Sequence, residues 1–148
     1  MEKKTLYVFC ERFVNDRIAR ISKAISDIEA GLSSETKSSA GDKHETGRAM
    51  LQLEREKAGQ QLAQAEQMKS LLTKVPIAGK SKSIGLGSII RTSGDGYFLA
   101  ISAGKYTDEN ETVFCISLQT PIGKLLLGKT IGDTILFRGK SIEILAIE

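Results

Sequence analysis

A chain of 148 residues has room for one ordinary domain or two small ones. Its 41% hydrophobic and 26% charged residues read as folded rather than disordered, while 5% aromatics and no tryptophan leave little for a large aromatic-lined pocket. The net charge of +3 is spread evenly: residues 1–76 carry 13 basic and 11 acidic groups and residues 77–148 carry 8 and 7, which excludes an autonomous nucleic-acid binder built on a basic face.

In the lead "MEKKTLYVFCERF", the run "TLYVFC" is too short for the core of a signal peptide and is followed at once by charge. No stretch is long enough to span a membrane. The reading is a cytoplasmic monomer with no membrane partner. Cys10 and Cys115 are the only thiols, too few for a disulfide framework or a zinc site, and they read as idle residues of different domains. From Val14, branched aliphatics recur at Ile18, Ile21, Ile25, Ile28 and Leu32, a heptad-like stripe along one helix that should end near Gly31–Ser33. The polar run "SSETKSSAG" follows. Leu51, Ala58, Ala65 and Leu72 then recur every seventh residue, predicting a second helix from about Thr46 to Lys74. Two striped helices joined by one loop bury their seams by folding back on each other. Residues 1–76 therefore read as an antiparallel helical hairpin, a coiled-coil arm with its loop near residues 33–44. A first helix of about 20 residues gives an arm roughly 30 Å long, better suited to reaching into something than to forming a cleft.

Pro76, Gly79 and the small polar residues of "VPIAGKSKSIG" mark a linker. Beyond it the period shortens. "GSIIRT", "GYFLAIS", "TVFCISL", "DTILFR" and "SIEILAI" are short, β-rich and separated by Gly, Asp or Asn turns. In "TPIGKLLLGKTIGD", Thr120 caps, Pro121 suits a first helical turn and Gly128 stops, so one short helix is predicted there, with "LLL" read as core. Residues 77–148 thus read as an α+β domain with a five-stranded, mainly antiparallel sheet and one short helix.

The stretch "GDKHE" admits two readings. Asp42 with Glu45 three residues on is an acidic capping box, each carboxylate accepting from an unpaired backbone N–H at a helix start. The same pair offers oxygens to Mg²⁺, which keeps several waters and is usually held by one or two carboxylates plus phosphates. Such a site stays incomplete until another molecule adds ligands, so the chain is not read as an isolated enzyme. His44, the only histidine, is either a proton relay or simply solvated. Arg48 and Arg55, seven apart on one helical face, either follow nucleic-acid phosphates or pair with Glu45, Glu54 or Glu56. Lys124 and Lys129 are partner contacts or ordinary surface.

Two segments carry a family resemblance. "GDKHE" is similar to a Gly-Asp-Leu-x-Glu motif at a hairpin tip. "ISLQTPIGKLLLGKTIGD" is similar to a pattern of Ile-Ser, a Ser/Thr-Pro turn, Ala-Leu-x-Gly-Lys and Gly-Asp. The chain resembles the bacterial Gre-type transcript-cleavage factors. That resemblance implies an FKBP-like second domain that binds RNA polymerase through the segment holding Pro121, Lys124 and Lys129. It also implies an arm in the polymerase secondary channel, where Asp42 and Glu45 share a Mg²⁺ ion at the 3′ end of backtracked nascent RNA. The chain would then be an accessory factor and not itself an enzyme. Where that family has Asn and then a Glu-Tyr pair after the tip glutamate, this chain has Thr46, Gly47, Arg48 and Ala49. Two further readings therefore stand open: a polymerase regulator that occupies the channel without cleavage, and an FKBP-like prolyl isomerase.

Overall fold

The computed structural model describes the backbone of residues 1–37 and 42–148, and the side chains outside 35–44. Two long helices lead: α1, Lys3–Lys37, and α2, Asp42–Thr73. A sheet region follows: β1, Ile89–Thr92; β2, Gly96–Leu99; β3, Gly104–Thr107; β4, Thr112–Ile116; α3, Pro121–Leu126; β5, Thr134–Phe137; β6, Lys140–Ile147. The fold is α+β, a helical hairpin plus a six-stranded sheet with one short helix. None of the described helices is long and apolar enough to cross a membrane.

The first helix is longer than its sequence stripe predicts, at 35 residues. Leu6, Cys10 and Val14 are all fully buried at a spacing of four, so the buried face begins two turns before Val14. In the sequence this is masked because Tyr7, Val8 and Phe9 fill the intervening positions with further apolar residues. The helix also runs through Gly31–Ser33 instead of stopping there. A Cβ on Gly31 would lie 3.3 Å from the side chain of Leu51, so this glycine admits the facing helix rather than ending its own. Of the segment read as loop, residues 33–37 and 42–44 are helical; residues 38–41 lie outside the described ones.

Cross-helix contacts set the direction of packing. Arg17 reaches Met68, Glu29 meets Arg55, and Gly31 faces Leu51, so positions rise along α1 as they fall along α2. The helices are antiparallel. Ala58, Ala65 and Leu72 of the seven-residue repeat are buried and Leu51 is half-buried, and two alanines in four positions keep the seam narrow.

The chain divides into two compact units, Val14–Lys69 and the combination of Met1–Phe13 with Ser70–Glu148. The ends of both helices therefore belong with the sheet. Strand order is β3-β4-β2-β1-β6-β5. All pairings are antiparallel except β2 with β4, which run parallel with Phe98 opposite Cys115. The five strands read from the sequence are present; the sixth, β3, corrects the count and makes the sheet mixed. Its residues "GKYT" carry a glycine and a lysine and resemble a turn. By hairpin pairing with β4 on its outer side, β3 leaves the inner side of β4 to meet β2 in parallel.

The sheet is buried on both faces. Alternation puts Ile90, Tyr97, Leu99, Ile135, Ile144 and Ile147 on one side, where they pack with Ile122 and Leu126 of α3. Ile89, Phe98, Val113 and Cys115 are also buried, and their register places them on the other face. There the Phe9 ring meets Tyr106 edge-to-face at 5.2 Å. Cys10 and Cys115, read as thiols of different domains, belong to this one unit. Of "LLL", only Leu126 is core; Leu125 and Leu127 are exposed, because a single turn of helix can bury just one side of itself.

Candidate functional site

An α-helix leaves its first N–H groups unpaired and its start electropositive, so acidic residues are favoured there. Asp42 is the first residue of α2. Its side chain and that of His44 lie outside the described residues. Glu45, within the first turn, is exposed, and Arg48 follows it one turn on, also exposed. Two carboxylates three residues apart form an oxygen-only donor set suited to a hard cation, supplying one or two ligands of about six. Among the described residues, no group of three or more His, Cys, Asp and Glu is arranged to hold a metal ion.

Arg55 has a partner that its own helix does not contain. Its Nε lies 3.1 Å from Glu29 Oε1 on α1, rather than pairing with Glu45, Glu54 or Glu56. A Cβ on Gly59 would sit 3.1 Å from this guanidinium, so the glycine leaves it room. Both side chains are exposed, 40% and 57%, which limits such a pair to about 0–1 kcal/mol. Periodicity within one helix cannot reveal a cross-helix pair.

The second segment is built around α3. Thr120 has an extended backbone, φ −72° and ψ 154°, and its Oγ1 accepts from Gly123 N at 3.1 Å while donating to the Ser117 carbonyl. Pro121 takes the first helical position, where an N–H would be unpaired anyway. A Cβ on Gly123 would fall 2.3 Å from the Ser117 oxygen, so glycine is required. Downstream, Asp133 Oδ2 accepts from Thr130 N at 2.8 Å and from Thr130 Oγ1 at 3.1 Å, bonds that hold its carboxyl below the usual range. Thr120, Gly123, Thr130 and Asp133 therefore shape the segment. Pro121 and Lys124, three apart on the outer side of α3, are exposed, and Lys129 is half-buried. The structure thus brings Pro121 and Lys124 onto one surface and leaves Lys129 beyond the helix.

Sequence reasoning missed the Thr130–Asp133 clamp, whose Thr-x-x-Asp spacing is the signal for it. It also missed a fork between Arg91 and Glu111. Both guanidinium nitrogens donate to the carboxylate, one at 3.1 Å, and the pair joins residues 20 positions apart. Arg91 holds the Glu111 carboxyl below its usual range and is itself pushed up by it.

Of the five aromatics that a prolyl-isomerase pocket would draw on, Tyr97 and Phe137 line one cavity of about 580 Å³, with Arg138, Asp95 and Lys140. The Arg138 guanidinium lies 5.0 Å from the Phe137 ring centre. Burial raises the Tyr97 phenol, helped by Asp95. Phe114 packs beside Tyr97, Phe98 is fully buried, and Tyr106 is paired with Phe9.

No family model matches the chain, and no curated protein matches it. Among the solved structures that match is one titled "Structure of the transcription factor Gfh1", at 23% identity over 93% of this chain and 92% of that one, with a TM-score of 0.37.

Proposed function

We propose that this chain is an accessory factor of RNA polymerase that carries an acidic pair, Asp42 and Glu45, into the enzyme's secondary channel and stimulates cleavage of backtracked RNA. The observation that carries the reading is the placing of the pair. Asp42 opens the second helix of an antiparallel hairpin and Glu45 is exposed one turn in, which is where a reaching arm would present carboxylates. Residues 1–76 are the arm in this reading, and residues 77–148, FKBP-like in the resemblance, supply the polymerase-binding surface around Pro121, Lys124 and Lys129.

The division of labour follows from the chemistry. Asp42 and Glu45 would hold a Mg²⁺ ion together with ligands from the polymerase and an RNA phosphate; when bound, the ion supplies the charge that activates water opposite the leaving oxygen. The carboxylates fix where that water sits, and the hairpin keeps them together. Arg48 lies one turn behind the pair, within reach of the RNA phosphates near the 3′ end. No covalent chemistry is assigned to the chain, which is why it is read as an accessory factor rather than an enzyme.

Capture of core RNA polymerase by the full chain tests the reading. The wild-type chain should retain polymerase, and Lys124→Glu, an exposed charge reversal, should weaken retention several-fold while leaving the melting temperature unchanged. Failure of the wild-type chain to retain polymerase overturns the proposal.

A further inference from the structure

Two buried thiols face each other where the start of α1 packs on the sheet. Cys10 is 0% exposed and Cys115 is 2% exposed, and neither is in a disulfide. Three observations bring them to one place in the fold. Tyr106 pairs with Val113 and Gly104 with Cys115, so Tyr106, Val113 and Cys115 share one face of the β3–β4 ribbon. On that face the Tyr106 ring touches Phe9, the immediate neighbour of Cys10. Cys10 belongs to the helical face it shares with Leu6 and Val14, both fully buried. Each thiol feels the other: Cys115 holds Cys10 below the usual thiol range, while Cys10 and burial raise Cys115.

We infer that Cys10 and Cys115 are a redox pair, oxidised by hydrogen peroxide to a disulfide that staples the base of α1 to β4. The steps balance. Cys10 loses its proton, and its thiolate attacks one oxygen of the peroxide, breaking the O–O bond and leaving a sulfenic acid; the departing hydroxide takes that proton to become water. The Cys115 sulfur then attacks the Cys10 sulfur, the S–O bond breaks, and the hydroxyl leaves as a second water with the Cys115 proton. Two thiols are oxidised and one peroxide is reduced to two waters. A small oxidant is specified because both sulfurs are enclosed, and it enters when the first turns of α1 open locally. Once closed, the bond links residues far apart in the chain and removes that opening. The inference concerns residues within Met1–Phe13 and Ser70–Glu148 only and does not depend on polymerase.

The test uses the full chain, reduced, treated with hydrogen peroxide either natively or while refolding from urea, then alkylated and digested without reductant. A peptide joining Cys10 to Cys115, lighter by two hydrogens, is expected in at least one arm. The joined chain should melt at a higher temperature than the reduced chain, and a dithiol should reverse both changes. Cys10→Ser and Cys115→Ser should show neither the link nor the shift. Alkylation of both thiols in both arms, over-oxidation of either without a link, or a joined chain that melts below the reduced one would overturn the inference.

Discussion

The two compact units solve burial differently. In Met1–Phe13 with Ser70–Glu148, a sheet is covered on both sides, and Phe98, Ile90, Leu99, Leu126, Ile144 and Val113 are all under 2% exposed. In Val14–Lys69, the buried hydrophobic residues among those described are Val14, Ile25, Ala58 and Ala65, while Met50 and Leu53 are 62% and 67% exposed. A two-helix seam has one line of contact, and alanines on it trade buried area for close approach. The lesson is that the sheet unit holds its shape by filling space, whereas the hairpin holds it by length and repetition. A region of the second kind tolerates varied surface residues.

The contrast breaks most plainly at Phe98. Phe98→Ala empties a fully buried site between covered faces and should cost about 3–5 kcal/mol in urea unfolding. Ile25→Ala, at 8% exposure on the seam, should cost less, because the helices close toward the vacated space. Equal costs would show that the hairpin is packed like the sheet.

One substitution type should cost far more in the sheet unit than in the hairpin. Gly87 has φ +87°, and a Cβ there would lie 2.4 Å from the Pro76 carbonyl oxygen, so Gly87→Ala combines a strained backbone with a clash. A loss of roughly 2 kcal/mol or more is expected. Gly31 lies within α1, and a Cβ at 3.3 Å meets only the flexible end of Leu51. Gly31→Ala should change stability by less than about 1 kcal/mol, because the helix-propensity gain is offset by the shift that Leu51 must make. Thermal unfolding of both variants checks the pair.

A smaller effect distinguishes the sheet unit by pH. Glu111 titrates below its ordinary value of 4.5 because Arg91 favours the carboxylate. A depressed carboxyl contributes stability that is fully present above its unfolded value and is lost as pH falls through its folded value. Wild type should therefore be the more stable chain near neutrality, and Glu111→Gln should draw level with it as the pH falls well below 4.5. Parallel unfolding curves for the two chains across that range would remove the pair from the account.

How far the fold could be read from sequence depended on whether its signals were local. Leu51, Ala58, Ala65 and Leu72 repeat within one helix, and Thr120, Pro121 and Gly128 punctuate one turn, so both features were legible. Gly31 looked like a stop because the residue it accommodates, Leu51, is distant in sequence. β3 was invisible because "GKYT" is a strand only by virtue of pairing with β4. The same limit applied to the sites. Glu29 with Arg55 and Arg91 with Glu111 are partnerships across the fold, and no spacing rule points to them. The acidic pair was legible as a motif, but its two roles, cap and ligand, use the same residue types at the same spacing.

Cleavage of a stalled, backtracked polymerase complex separates those roles and tests the central claim. Asp42→Asn and Glu45→Gln each keep a side-chain acceptor, and Asn caps about as well as Asp, so folding and polymerase retention should be nearly unchanged. Amides are poorer ligands for Mg²⁺ and lack the charge that offsets it, so the wild-type chain should stimulate Mg²⁺-dependent RNA cleavage and both variants should lose that stimulation. Stimulation by both variants equal to wild type would reduce the carboxylates to helix caps. A wild-type chain that binds polymerase without stimulating cleavage would contradict the proposed activity and leave a factor that only occupies the channel.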